Sequence, residues 1–245
     1  HEISEKGKDP LKHLLTILDK KKKPERKFNS ELDQASKEWI CLPESRKKLL
    51  TTLSLFGLTK EQVERVSNPT LRKNAGILAS PADIIENPYI LCEQDTGGKD
   101  SAPINFEQID HGMIPLPDAA KAWRKHVGIS LNDKRRVRAL LVDILKSAAQ
   151  SGDTLLSLDD TISRARKRLP DERRCNPDQE LIIEQKDFYR KAIDFDPESE
   201  NLYFALPRLR QMELEISNQI NDLLTGDLRP ASGVDWQSKL QKELG

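Results

Sequence analysis

The sequence predicts a mainly α protein built as small helical bundles, with one short β-hairpin late in the chain. Three observations lead there. Apolar residues recur at i, i+3, i+4 and i+7 in several windows, the pattern of helices buried along one face. Ser, Thr, Asn, Pro and Gly stand where those windows begin and end. Aromatics are only 5% of the 245 residues while charged residues reach 33%, so thin helical cores suit the composition better than one large sheet-based body.

Residues 1–43 read as an N-terminal helical extension. Pro10 opens a helix through Leu11, Leu14, Leu15 and Leu18. The lysine run Lys20 to Lys23 that follows is read as a solvated segment. Ser30 caps a helix carrying Leu32, Ala35 and Trp39.

Residues 44–130 read as a second helical domain. A helix after Pro43 carries Leu49, Leu50, Leu53 and Phe56 and is expected to end at Gly57. Thr59 then caps Lys60 to Val66, with Gln62 placed to complete a capping box. Asn68-Pro69 breaks the chain before a short turn at Leu71 to Ala75. Ser80-Pro81 starts the next helix, Ala82 to Glu86, and Asn87-Pro88 stops it. Tyr89, Ile90 and Leu91 form a buried-looking cluster, Asp95 to Pro103 a loop, and Ile104 to Ile109 a short helix ended near Gly112, Pro115 and Pro117.

Residues 131–206 read as a third domain. The longest pattern spans 132–150, with Val137, Leu140, Leu141, Ile144, Leu145 and Ala148 on one face and Gly152 closing it. Ser157 caps a helix with Leu158, Ile162, Ala165 and Leu169 inward, and a third helix runs from about Gln179 to Ile193. Ile193 to Phe195 and Leu202 to Phe204 read as two short strands around Pro197. Three helices followed by a small hairpin is the order of a winged helix. Residues 207–245 read as a connecting region: a helix with Leu209, Met212, Ile216, Ile220, Leu223 and Leu224, a linker at 227–234, and a further helix from Trp236 to Leu244.

Lys plus Arg equals Asp plus Glu at 40 each, so net charge announces no nucleic-acid partner. Residues 1–50 hold 13 basic and 9 acidic side chains, and residues 181–245 hold 8 and 12. Any phosphate contact must come from local patches. Cys41, Cys92 and Cys175 are far apart, which argues against a zinc site and suits a reducing, cytoplasmic setting. No apolar run is long enough to span a bilayer, so no membrane partner is expected.

The nearest string to a phosphate-binding P-loop is Thr96-Gly97-Gly98-Lys99-Asp100, which lacks the first glycine and has Asp100 in place of the magnesium-binding hydroxyl. His1, His13, His111 and His126 have no metal-ligand spacing, and Asp110-His111 has no nucleophile beside it. Asp159-Asp160 sits in a first helical turn, where the helix dipole accounts for it. No catalytic, cofactor-binding or metal-binding residue is therefore assigned.

Several strings together resemble a family. Leu55-Phe56-Gly57-Leu58-Thr59-Lys60-Glu61-Gln62-Val63 resembles the helical opening of the N-terminal region of RecD-like superfamily 1 DNA helicases. Asn87-Pro88-Tyr89-Ile90-Leu91 is similar to that family's Asn-Pro-Tyr-x-Leu string. Ile104 to Asp110 is similar to the stretch where the family places a helix-hairpin-helix, Arg138-Ala139-Leu140-Leu141 and Gly152-Asp153-Thr154 to a helix and turn, and Leu202-Tyr203-Phe204 with Met212-Glu213 to the approach to the motor. The resemblance covers residues 50–224. It implies a helix-hairpin-helix-like region, a winged-helix-like domain and a parent enzyme whose motor uses ATP and Mg. The motor motifs are not in this sequence, so the chain itself is expected to be a non-catalytic region. Asn105-Phe106 replaces the family's Gly-Phe and no glycine-rich hairpin follows, so phosphate binding is not expected at 104–112.

The expected partners are single-stranded or forked DNA, held through its backbone, and the motor domains of the same polypeptide. The candidate DNA-binding residues form three clusters. Lys60, Arg65, Arg72 and Lys73 lie around the first helical hairpin, and Lys134, Arg135, Arg136 and Arg138 at the start of the long helix. Arg164 and Lys167 lie on the next helix, where Arg166 and Arg168 extend the cluster. Glu180, Glu184 and Asp187 on the third helix, and Asp194, Asp196, Glu198 and Glu200 around the hairpin, argue against base reading there. The alternatives are a protein-interaction module of a larger complex and a stand-alone winged-helix regulator.

Overall fold

The computed structural model describes residues 10–19, 30–99, 101–114, 129–196 and 202–225. The expected lysine run, most of the hairpin turn and the helix from Trp236 lie outside the described residues. Among the described residues the protein is mainly helical, with thirteen α-helices and one two-stranded antiparallel sheet. The chain divides into two compact units, His1–Leu206 and Pro207–Gly245.

The first unit begins with α1 (Pro10–Leu18) and α2 (Ser30–Cys41), which pack on each other. The Trp39 indole donates to Asp19 Oδ1 at 3.0 Å across that pair. Six short helices follow: α3 (Glu44–Leu53), α4 (Lys60–Ser67), α5 (Pro69–Asn74), α6 (Pro81–Glu86), α7 (Ile90–Gln94) and α8 (Phe106–Met113). Helices this short do not persist alone in water and depend on caps and packing. Both are present. Thr59 and Gln62 form the expected capping box, and Ser80 with Asp83 and Asn105 with Gln108 form two more. The caps are also stitched together, since Gln108 Nε2 donates to Gln62 Oε1 at 3.0 Å and to the Gly57 carbonyl at 2.9 Å.

Gly57 does not end α3, which stops at Leu53 with Ser54 as its C-cap. The glycine that matters for packing is Gly112. A Cβ there would lie 2.4 Å from the Leu55 carbonyl oxygen and 2.5 Å from the Phe56 ring, so α8 crosses the 55–56 turn at backbone contact.

The long helix α9 (Lys134–Gln150) packs against α7 and α8 on one side and the later elements on the other. Its six expected core residues are all buried. Next come β1 (Leu155–Ser157), α10 (Leu158–Arg168), a 3-10 turn at Asp171–Arg173, α11 (Gln179–Glu184), α12 (Lys186–Tyr189) and β2 (Tyr203–Ala205). Ser157 caps α10 as expected, and Gly152 adopts φ of 100° after α9. The single helix expected over 179–193 is broken at Gln185 and its second piece stops at Tyr189, where the Arg138 guanidinium takes the Phe188 carbonyl at 2.9 Å.

The pairing expected between β2 and Ile193 to Phe195 is reduced to Asp194 and Ala205, which exchange backbone hydrogen bonds at 2.9 and 3.0 Å. The fuller partner of β2 is β1, with Leu156 opposite Phe204. Among the described residues one contiguous apolar cluster runs from Leu49 to Phe204.

The second unit presents α13 (Pro207–Thr225), of which no residue is buried. Met212, Ile216, Ile220 and Leu223 remain exposed along it.

Candidate nucleic-acid interface

The ten candidate cations do not form one surface. Arg65, Arg136 and Arg138 are turned inward, contrary to the expectation that they meet phosphate. Arg65 Nη2 lies 2.6 Å from Asp95 Oδ2 and 2.9 Å from the Ala102 carbonyl, and Nη1 donates to the Ser101 hydroxyl. Arg136 is bound to Asp110, whose carboxylate also accepts from Arg173 Nη2 at 2.6 Å and from the Tyr89 hydroxyl at 2.7 Å. Arg138 meets Glu93 through a two-pronged pair at 2.9 and 2.8 Å, and its guanidinium carbon lies 4.2 Å from the centre of the Phe188 ring.

The physical reason is that a charge leaves water only when another charge and further hydrogen bonds replace the solvent. Each of these arginines has a carboxylate and at least one carbonyl to receive its fork. The neighbours give a consistent electrostatic picture. Burial raises the Glu93 carboxyl above the usual range, against the opposing pull of Arg138. Burial, then the Asp110 charge, pushes ionisation of the Tyr89 phenol far above its usual range. Asp110 is thus a structural anion, while the adjacent His111 is exposed; they do not form an acid–imidazole pair directed at a substrate.

Two more candidates are only partly free. Arg135 is held by both Asp133 oxygens at 2.9 Å and by the Glu86 carbonyl at 2.9 Å, and that hydrogen bonding keeps the Asp133 carboxyl below the ordinary aspartate range. Half-buried Arg72 donates to the Val66 carbonyl at 3.2 Å. Lys60, Lys73, Lys134, Arg164 and Lys167 are exposed. Lys134 Nζ sits 5.0 Å from the Phe188 ring centre.

Arg164 and Lys167 occupy the last turns of α10 together with Arg166 and Arg168. This is the densest exposed run of cations among the described residues. Two shallow grooves flank it. One, of about 350 Å³, is lined by Asp159, Ile162, Ser163, Arg166, Lys167 and Gln179. The other, of about 370 Å³, lies toward α9 and adds the hydroxyls of Ser147 and Ser151 to Arg164, Lys167 and Arg168. The two serines are not among the sequence candidates; their exposed positions at the end of α9, one helical turn apart, were the available signal.

The amides of Gly97 and Gly98 donate to Asp95 Oδ1 and the Ser101 carbonyl, both at 3.0 Å, so that loop is no phosphate cradle. Burial raises the Cys175 thiol to about 11 and the Cys92 thiol well above its ordinary value, which leaves neither as a ready nucleophile. Among the described residues no group of three His, Cys, Asp or Glu could hold a metal ion. No helix among them is long and apolar enough to cross a membrane.

No family profile and no solved structure matches the chain. An uncharacterized protein of Methanocaldococcus jannaschii is 31% identical over 155 residues, covering 58% of this chain and 12% of that protein. The chain therefore spans about an eighth of the length of the curated relative that it matches.

Proposed function

We propose that this chain is a non-catalytic, DNA-guiding region of a RecD-like ATP-dependent DNA helicase, with residues 131–206 arranged as a winged helix. The observation that carries the reading is the strand order. Helix α9 leads to β1, then α10, then α11 and α12, then Asp194, then β2, and β2 pairs with β1 on one side and with Asp194 on the other. That succession and pairing supports a winged helix. The helix-hairpin-helix-like reading falls on residues 104–110, where α8 packs against α7 and α9. In the archaeal relative the matching segment is a small part of a much longer polypeptide, which suits one module among several.

In this reading ATP and Mg belong to motor domains of the same polypeptide. The helical region positions single-stranded or forked DNA for them through phosphate contacts. Glu180, Glu184 and Asp187 on α11 and α12 disfavour entry of that helix pair into a groove of DNA. The test is an anisotropy titration of the full chain with single-stranded and forked DNA at low and moderate salt. Binding that weakens as salt rises supports the reading; no binding at low salt sinks it.

A second reading, a protein-contact module, is favoured by α13. Its exposed Met212, Ile216, Ile220 and Leu223 suit contact with a protein surface, whether a motor or a partner subunit. Absence of DNA binding together with a defined protein complex would select it.

A further inference from the structure

We infer that the end of α10 is a backbone track: it binds the sugar-phosphate chain of a nucleic acid and reads no bases. The inference rests on the DNA-guiding proposal and specifies where and how contact is made. It starts from which cations are already spent. Arg168 faces Glu107 at 2.9 Å and Asp143 at 3.5 Å, so its charge is largely answered within the protein. Arg164 approaches Asp153 only at 3.9 Å, with both side chains about half exposed, and such a pair is worth little in water. Arg166 donates to the Pro177 carbonyl, a neutral acceptor that leaves its charge uncancelled. Lys167 lines both grooves.

Arg164 and Lys167 are three residues apart on one helical face, about 4.5 Å along the axis, close enough for their long side chains to serve neighbouring phosphates of one strand. Ser147 places a hydroxyl along the groove toward α9, while the Ser151 hydroxyl donates to the Ser147 carbonyl at 3.3 Å. What the grooves lack is equally informative. Neither is lined by an aromatic side chain on which a base could stack, and Gln179 is the lone amide available to a base edge. Hydroxyls and cations without stacking platforms select phosphate, not sequence.

The experiment uses the full chain and labelled oligonucleotides of equal length: two unrelated single-stranded DNA sequences, an RNA, and a duplex. With Arg164, Arg166 and Lys167 engaged, log K should fall against log salt with a slope of about −2 to −3, and Lys167→Gln should flatten it by about one. The two DNA sequences should bind within about twofold of each other, and Arg164→Glu with Lys167→Glu should weaken binding by at least about tenfold at low salt. Arg46→Glu with Lys48→Glu, two exposed cations of α3 outside the candidate clusters, serves as the charge-matched control, and circular dichroism checks that each variant is folded. A strong preference for one sequence, or full affinity in the folded α10 variant, overturns the track while leaving DNA guidance standing. Failure of the unaltered chain to bind any of the oligonucleotides overturns the guiding proposal itself.

Discussion

Arg136 and Asp110 meet side-on inside the core, Nε to Oδ1 at 2.6 Å and Nη2 to Oδ2 at 3.0 Å, with neither side chain reaching solvent. Asp110 also serves Arg173 and Tyr89, so one carboxylate from α8 fixes α9, the turn after α10 and the approach to α7. Asp110→Asn leaves two buried guanidinium groups without their anion. It should cost about 3–5 kcal/mol in urea unfolding. Tyr89→Phe removes a single hydrogen bond to the same charge and should cost about 1.5–3 kcal/mol. Equal losses from the two changes would contradict the central role given to the carboxylate.

Gly112 and Gly57 make a matched pair. Gly112→Ala drives a methyl group into the Leu55 carbonyl and the Phe56 ring, and should destabilise by about 1–3 kcal/mol as α8 is forced off the turn. Gly57→Ala meets nothing within 4 Å and has no left-handed backbone to protect, so it should be neutral or stabilising by up to about 1 kcal/mol. Thermal melts of the two variants decide it.

Arg138→Lys keeps the charge but loses the planar fork on Glu93, the bond to the Phe188 carbonyl and stacking on the Phe188 ring. Stability should drop by about 2 kcal/mol. Hydrogen exchange should speed up in α12 more than in α3, because the Phe188 carbonyl in α12 is held by that guanidinium.

Two carboxylates should respond oppositely to acid. Asp133 has its folded value lowered by Arg135, so its contribution is present above the unfolded aspartate range and is lost as pH falls through the lower folded value. Glu93 has its folded value raised by burial, so its titration favours folding increasingly as pH falls through that raised value toward the ordinary glutamate range. Carbon-detected NMR titration of the side-chain carboxyls should place Glu93 above and Asp133 below their respective ordinary values. The stability gap between the native chain and Asp133→Asn should close in acid.

What was legible in the sequence was local. The caps at Thr59, Ser80 and Ser157 require only residues within three positions, and all three form. The apolar face of α9 was legible for the same reason. The fate of the arginines was not, because their partners lie far along the chain: Asp95 is 30 residues from Arg65, Asp110 is 26 from Arg136, and Glu93 is 45 from Arg138. A signal did exist. Val137 and Ala139 to Val142 leave α9 apolar nearly all round, and arginines within such a stretch have no wet side to point to. β1 escaped notice because three residues are too few to show alternation. Its pairing with a strand nearly fifty positions later is a tertiary choice.

The 63-residue interval between Asp110 and Arg173 also orders events during synthesis. A ribosome delivers Asp110 first, and at about 5–20 residues per second the second arginine follows roughly 3–13 seconds later. Through that interval the nascent chain carries an anion whose final setting does not yet exist. The N-terminal helices can gather early, but they cannot lock until the downstream half has left the exit tunnel.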